Sequence, residues 1–153
     1  LVVLASADHP LSREKKISIE RICDEPFIMR EPGSGTRMAT ERFFLEHSHK
    51  LKVRMELGSN EAIKQAIVGR LGIAVLSRHT LALDAPMGQL EILDVEGFPI
   101  ERHWYFAYPS GKQLSIVAQT FLEYLRQASD YLDDLSCRHA ISGHCPLLKD
   151  GQH

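Results

Sequence analysis

The chain has 153 residues, 44% apolar and 25% charged, enough for one ordinary domain or two small lobes sharing a core. Its formal net charge of −2, with Lys and Arg scattered and not striped, excludes a domain that grips nucleic acid by itself. Three cysteines, Cys23, Cys137 and Cys145, are too few for a disulfide scaffold and fit a reducing cytoplasm.

Leu1 to Ala5 is a continuous apolar run, the pattern of a strand buried on both faces. It opens the chain without a basic-then-apolar leader, as expected of a fragment that starts inside an element. His9-Pro10-Leu11-Ser12 breaks the run. Ile19, Ile22 and Cys23 fall at helical spacing behind Ser18 as a cap. Pro26 to Met29 predicts a second buried strand, and Glu31 to Thr36 a turn that leads into a helix through Arg37 to His47. Lys52 to Leu57 returns to alternation, with Val53, Met55 and Leu57 on one face. Gly58-Ser59-Asn60 is the next turn and cap, followed by a short helix carrying Ala62, Ile63, Ala66 and Ile67. Gly72 to Leu76 is the third buried strand.

The alternation of strand and helix predicts a largely parallel sheet covered by helices. Ser77 to Ala85 reads as a short helix, Leu90 to Val95 as a short strand, and Arg102 to Tyr108 as an aromatic strand. Leu114, Val117, Ala118, Phe121, Leu122 and Leu125 define the clearest helix of the chain. After about Ser129 the periodicity fades into a tail.

Two turns carry the functional signal. Ser34, Gly35, Thr36 and Arg37 open one helix, where unpaired amides and the helix dipole favour an anion, hydroxyls stand beside them, and Arg37 adds bidentate donors. The plainer alternative is a turn with Thr36 as cap. Ser59 and Asn60 repeat the geometry at the next helix. Two polar helix starts at the carboxyl ends of neighbouring parallel strands face one cleft. Catalytic signals are thin. His9, His79 and His103 sit singly, and the Cys137-Arg138-His139 and His144-Cys145 spacings match no common zinc site. Trp104-Tyr105-Phe106 has no interleaved basic residues and reads as strand packing.

Several of these stretches resemble the effector-binding domain of LysR-type transcriptional regulators. They are Leu4 to Leu11, Glu31 to Arg37, Leu57 to Ala66 and Gly69 to Ser77, the last close to a "G-x-G-I-A-x-L" strand. Glu56 to Glu61, Leu93 to Ile100 and Trp104-Tyr105 followed by Gly111 to Ser115 look like the regulators of RuBisCO operons. The resemblance implies an α/β fold like that of periplasmic solute-binding proteins, with two lobes of mainly parallel sheets flanked by helices and an effector in the cleft between them. On that template 1–9 is a crossing strand, 10–98 the distal effector-binding lobe, 99–128 the return strand and C-terminal helix of an incomplete proximal lobe, and 129–153 a tail.

It further implies a cytoplasmic, non-catalytic sensor with no bound cofactor or metal and no membrane contact. The effector is a small anion, either a phosphorylated metabolite or NADPH, bordered by Ser34, Gly35, Thr36, Arg37, Ser59 and Asn60. The expected assembly is a homodimer or homotetramer that pairs through the 38–47 helix region. DNA is reached only through a helix-turn-helix absent from this chain. The rival readings are a solute-binding protein of a transporter and an enzyme with an anion pocket.

Overall fold

The computed structural model describes residues 1–81, 88–102, 107–111 and 113–138, with side chains to residue 128. Two compact units emerge, Leu1–His103 and Trp104–His153. In the first unit β1 (Val2–Ser6) leads through a 3-10 turn (Pro10–Arg13) and α1 (Ile19–Cys23) to β2 (Pro26–Arg30). Then come α2 (Gly35–Glu46), β3 (Lys52–Leu57), α3 (Asn60–Val68), β4 (Ala74–Leu76), a second 3-10 turn (Arg78–Thr80) and β5 (Leu90–Ile92).

β2 and β3 pair in parallel, and Ile73 enters beside β2. The Ile28 amide donates to the Ile73 carbonyl at 2.8 Å, and the Ile73 amide to the Pro26 carbonyl at 2.9 Å. β1 pairs antiparallel with both β4 and β5. The strands therefore lie side by side as β3-β2-β4-β1-β5. The expected parallel relation holds from β2 to β4, whereas β1 runs the other way. The helix between β1 and β2 is short. The five residues of α1 span about 7.5 Å, less than half of a five-residue strand at about 17 Å. The connection over residues 7–25 does not use α1 as a crossover, and β2 starts at the end where β1 finishes. The 12 residues of α2 do cover that distance, and β3 starts parallel to β2.

Pleating divides the core by alternate residues. Val3, Ala5, Phe27, Ile73 and Val75 face α1 and α2 through Ile19, Ile22 and Phe44. Val2, Leu4, Ile28, Ala74 and Leu76 face α3 through Ile63, Ala66 and Ile67. That double cover explains why all five residues of β1 are buried, as its unbroken apolar run predicts. Lys64 is also buried on α3; its Nζ donates to the Thr80 carbonyl at 3.2 Å and so holds the turn after β4. β3 lies at the margin, with Val53 45% exposed.

In the second unit α4 (Ile116–Arg138) begins where the Ser115 hydroxyl accepts the Ala118 amide at 3.3 Å. Leu114 precedes the helix and does not join it. Ala118, Leu122 and Leu125 are half-buried, while Val117 and Phe121 of the same predicted stripe are 79% and 55% exposed. The helix continues past Ser129 to Arg138, where Leu132 and Leu135 keep the helical spacing of Leu125 and Ala128 in the sequence. The strand expected over 102–108 and the helix expected over 77–85 fall partly on 103–106 and 82–87, outside the described residues, as does the tail over 139–153.

Candidate functional site

Both predicted turns sit at the carboxyl ends of β2 and β3. Ser34 caps α2: its buried hydroxyl accepts the Arg37 amide at 3.4 Å. Thr36, the alternative cap, lies inside the first turn, and its carbonyl accepts the Thr40 hydroxyl at 2.8 Å. Ser59 caps α3 by accepting the Ala62 amide at 3.0 Å. Each hydroxyl satisfies one amide of its helix. The amides of Gly35, Thr36, Asn60 and Glu61 have no intrahelical acceptor and carry the positive ends of the dipoles.

α2 leaves β2 on one face of the sheet and α3 leaves β3 on the other. Adjacent parallel strands whose helices depart to opposite faces form a topological switch point, where α/β sheets open a crevice at the strand ends. The two helix starts thus share one rim although they belong to different layers. Arg30, the last residue of β2, joins them. Its Nη1 donates to Asn60 Oδ1 at 2.8 Å, and its backbone carbonyl accepts Arg37 Nη1 at 3.0 Å. Arg37 and Asn60, 23 positions apart in the chain (60 minus 37), meet on one residue.

Charge at this rim is largely self-compensated. Arg30 grips Glu31 in a two-point fork, Nε to Oε2 at 2.7 Å and Nη2 to Oε1 at 2.9 Å. Arg37 pairs with Glu56 at 2.7 Å and Glu41 at 2.8 Å, contacts that raise its affinity for protons further. Arg37 therefore braces α2 against β2 and β3, with its Nε and Nη1 engaged within the protein. A different arginine stands over the helix start. Arg102 Nη2 lies 3.1 Å from where a Cβ on Gly35 would be, so glycine there admits the guanidinium. Ile100 donates its amide to the Leu1 carbonyl at 2.9 Å, which brings this segment to the same rim. Sequence reading missed Arg30 and Arg102. Arg30 had one signal, a cation ending an otherwise apolar strand; Arg102 is remote in sequence from the helix it covers.

The Arg30 fork and then Glu31's own backbone bond hold the Glu31 carboxyl down at about 2. Lys52 holds Asp24 below its ordinary range, and the Ser6 hydroxyl does so for Asp8. A carboxyl depressed in the folded state stabilises above its unfolded value, about 3.9 to 4.3, and loses that contribution as pH falls through the folded value. The urea midpoint is expected to stay level from pH 7 to 5 and to fall below about pH 4, with a smaller fall in Glu31→Gln. A midpoint that rises on acidification contradicts these assignments.

Two hollows of about 270 and 260 Å³ lie elsewhere. Ser6, Asp8 and Arg70 line both, at the amino ends of β2 to β4, and none of the six candidate residues does. His9 belongs to that end too, where its Nδ1 caps the 3-10 turn by accepting the Leu11 amide at 3.3 Å. The two helix starts do not border either hollow. Among the described residues no three His, Cys, Asp or Glu side chains are grouped to hold a metal ion.

Comparison with known proteins agrees with this architecture. The regulatory domain of CcmR from Synechocystis PCC6803, solved in complex with 2-PG, superposes with a TM-score of 0.78 at 54% identity, covering 83% of this chain and 61% of that one. The effector-binding domain of QuiR, in complex with shikimate, shares the fold at TM-score 0.70 and 20% identity, covering 85% and 61%. In sequence, the HTH-type transcriptional activator CmpR of Synechocystis sp. is 63% identical over 125 residues, 82% of this chain and 41% of that protein. The RuBisCO operon transcriptional regulator of Acidithiobacillus ferrooxidans is 57% identical over 129 residues, 84% and 42%. The chain thus spans about two fifths of the length of these relatives. The family model of the LysR substrate binding domain matches residues 1–130, and the chain belongs to that family.

Proposed function

We propose that this chain is the effector-sensing part of a LysR-type regulator of CO2-fixation genes, and that it takes a small anionic metabolite at the rim formed by Ser34 to Arg37, Ser59 and Asn60. The observation that carries the reading is the convergence of two capped helix starts on Arg30 at a switch point. The relatives are transcriptional regulators by name, and the CcmR domain holds 2-PG, which makes 2-PG the first compound to test. On this reading residues 10–98 are the distal lobe and 99–128 return to a proximal lobe. Binding shifts the balance between two lobe arrangements, passed on to helix-turn-helix heads. The role is non-catalytic on this reading, in keeping with relatives that are transcriptional regulators by name. Work on DNA places the protein in the cytoplasm.

Calorimetric titration of the intact protein with 2-PG should give saturable binding, and Asn60→Ala should weaken it about tenfold, the loss of one hydrogen bond to a charged group. No heat at millimolar 2-PG, phosphorylated sugars or NADPH would sink the reading.

Self-association belongs to the same proposal. Met38, Leu45 and Val53 are 63%, 76% and 45% exposed on α2 and the marginal strand β3. Among the described residues no strand pairs with the outer edge of β3, which leaves backbone donors and acceptors for a second copy. Leu45→Glu with Val53→Lys should convert a dimer to monomer in sedimentation equilibrium. Unchanged mass would remove this face from the proposal.

A further inference from the structure

The Arg30–Glu31 pair is unusual for a salt bridge between chain neighbours, since it sits where a guest anion would gain most. Arg30's side chain is only 19% exposed, yet it links the two helix starts, holding Asn60 through Nη1 and Arg37 through its carbonyl. A guanidinium fork is shaped for two coplanar oxygens of a carboxylate or phosphate. Here that fork is filled by the protein itself, at 2.7 and 2.9 Å. The filling group is the more mobile partner. Glu31's side chain is 40% exposed and begins the turn of Pro32 and Gly33, both exposed, with Gly33 at φ +89. It can swing into water without opening the core. Arg30 cannot follow, because its backbone ends β2 and its third nitrogen holds Asn60.

We infer that Glu31 is a built-in competitor for the anionic effector, so that a guest must displace its carboxylate from Arg30 to bind. This rests on the rim reading above and adds a regulatory consequence. Exchange replaces one carboxylate with another anion on the same two donors, so the number of charge-assisted bonds is conserved. Apparent affinity is then set by the difference between guest and Glu31. A neutral guest cannot pay for that exchange, which selects for charge. Glu31 remains ionised at any ordinary assay pH.

The test is titration of the intact protein with 2-PG and, separately, inorganic phosphate, using wild type, Glu31→Gln, Arg30→Gln and the double variant. Glu31→Gln should bind 2-PG about 2- to 5-fold more tightly, the range that spans loss of a partly exposed ion pair. Glu31→Ala should act in the same direction. In the Arg30→Gln background the gain should vanish, since coupled residues are not additive. Binding by Glu31→Gln alone, with none in wild type, supports the inference as well. Equal affinities of wild type and Glu31→Gln overturn it and leave the rim reading standing. An equal gain in the Arg30→Gln background also overturns it. If no variant binds 2-PG or phosphate at millimolar concentration, both fall.

Discussion

Replacing Phe44 with Ala should lower the unfolding free energy by about 3–5 kcal/mol, the cost of emptying a large aromatic site in a packed core. Phe44 is 1% exposed and, with Thr40, is one of two buried residues that α2 sends inward. Its ring meets Phe27 edge-on at 5.9 Å, Phe43 at 5.4 Å and Phe98 at 6.3 Å. Phe44 is therefore the main apolar anchor of α2, beside Phe43, Thr40 and the Arg37 brace, and the helix start at the rim depends on it. At about 4–8 °C per kcal/mol for a unit of this size, the melting temperature should drop by well over ten degrees. Exposed Lys50→Ala should change stability by less than about 0.5 kcal/mol. A Phe44→Ala protein that melts with the wild type would show that α2 is held by something else.

Gly72→Ala should cost about 3 kcal/mol, the upper end for forcing atoms into a filled site. A Cβ at this position would stand 2.3 Å from the Pro26 carbonyl oxygen and 3.3 Å from Ile28 Cγ1. That same carbonyl accepts the Ile73 amide, so the methyl group strikes the junction between β2 and β4. Amide exchange should report it directly, with Ile73 and Ile28 losing protection before residues of β1. Gly58→Ala is the matched control, because nothing lies within 4 Å of its added Cβ. Equal protection in Gly72→Ala and wild type would mean the ladder tolerates the methyl group.

How legible this fold was depends on how local its causes are. The buried run of Val2 to Ser6, the Ser18 and Ser59 caps and the apolar stripe of Ile63, Ala66 and Ile67 all follow from residues within one turn or strand of each other. Sequence placed them nearly to the residue. The direction of β1 is different, since it shows only in its antiparallel pairing with β4 and β5, some 70 to 90 positions along the chain. The choice of Ser34 over Thr36 as cap turns on where helical dihedrals begin, which a stretch holding both residues does not reveal. At the rim the helix starts were visible in the two turns. What sequence hid was their partners: Glu56 reaches Arg37 from the neighbouring strand, and Arg102 covers Gly35 from 67 positions downstream (102 minus 35). Those contacts exist only once β2, β3 and the segment after β5 have been brought together.

The most direct test is a crystal structure of the intact protein with 2-PG bound. Anionic oxygens of 2-PG are expected within about 3 Å of the first-turn amides of α2 or α3, with Asn60 and the Arg30 fork in contact. Electron density for 2-PG in the hollow between Asp8 and Arg70, with the rim unchanged, would contradict it.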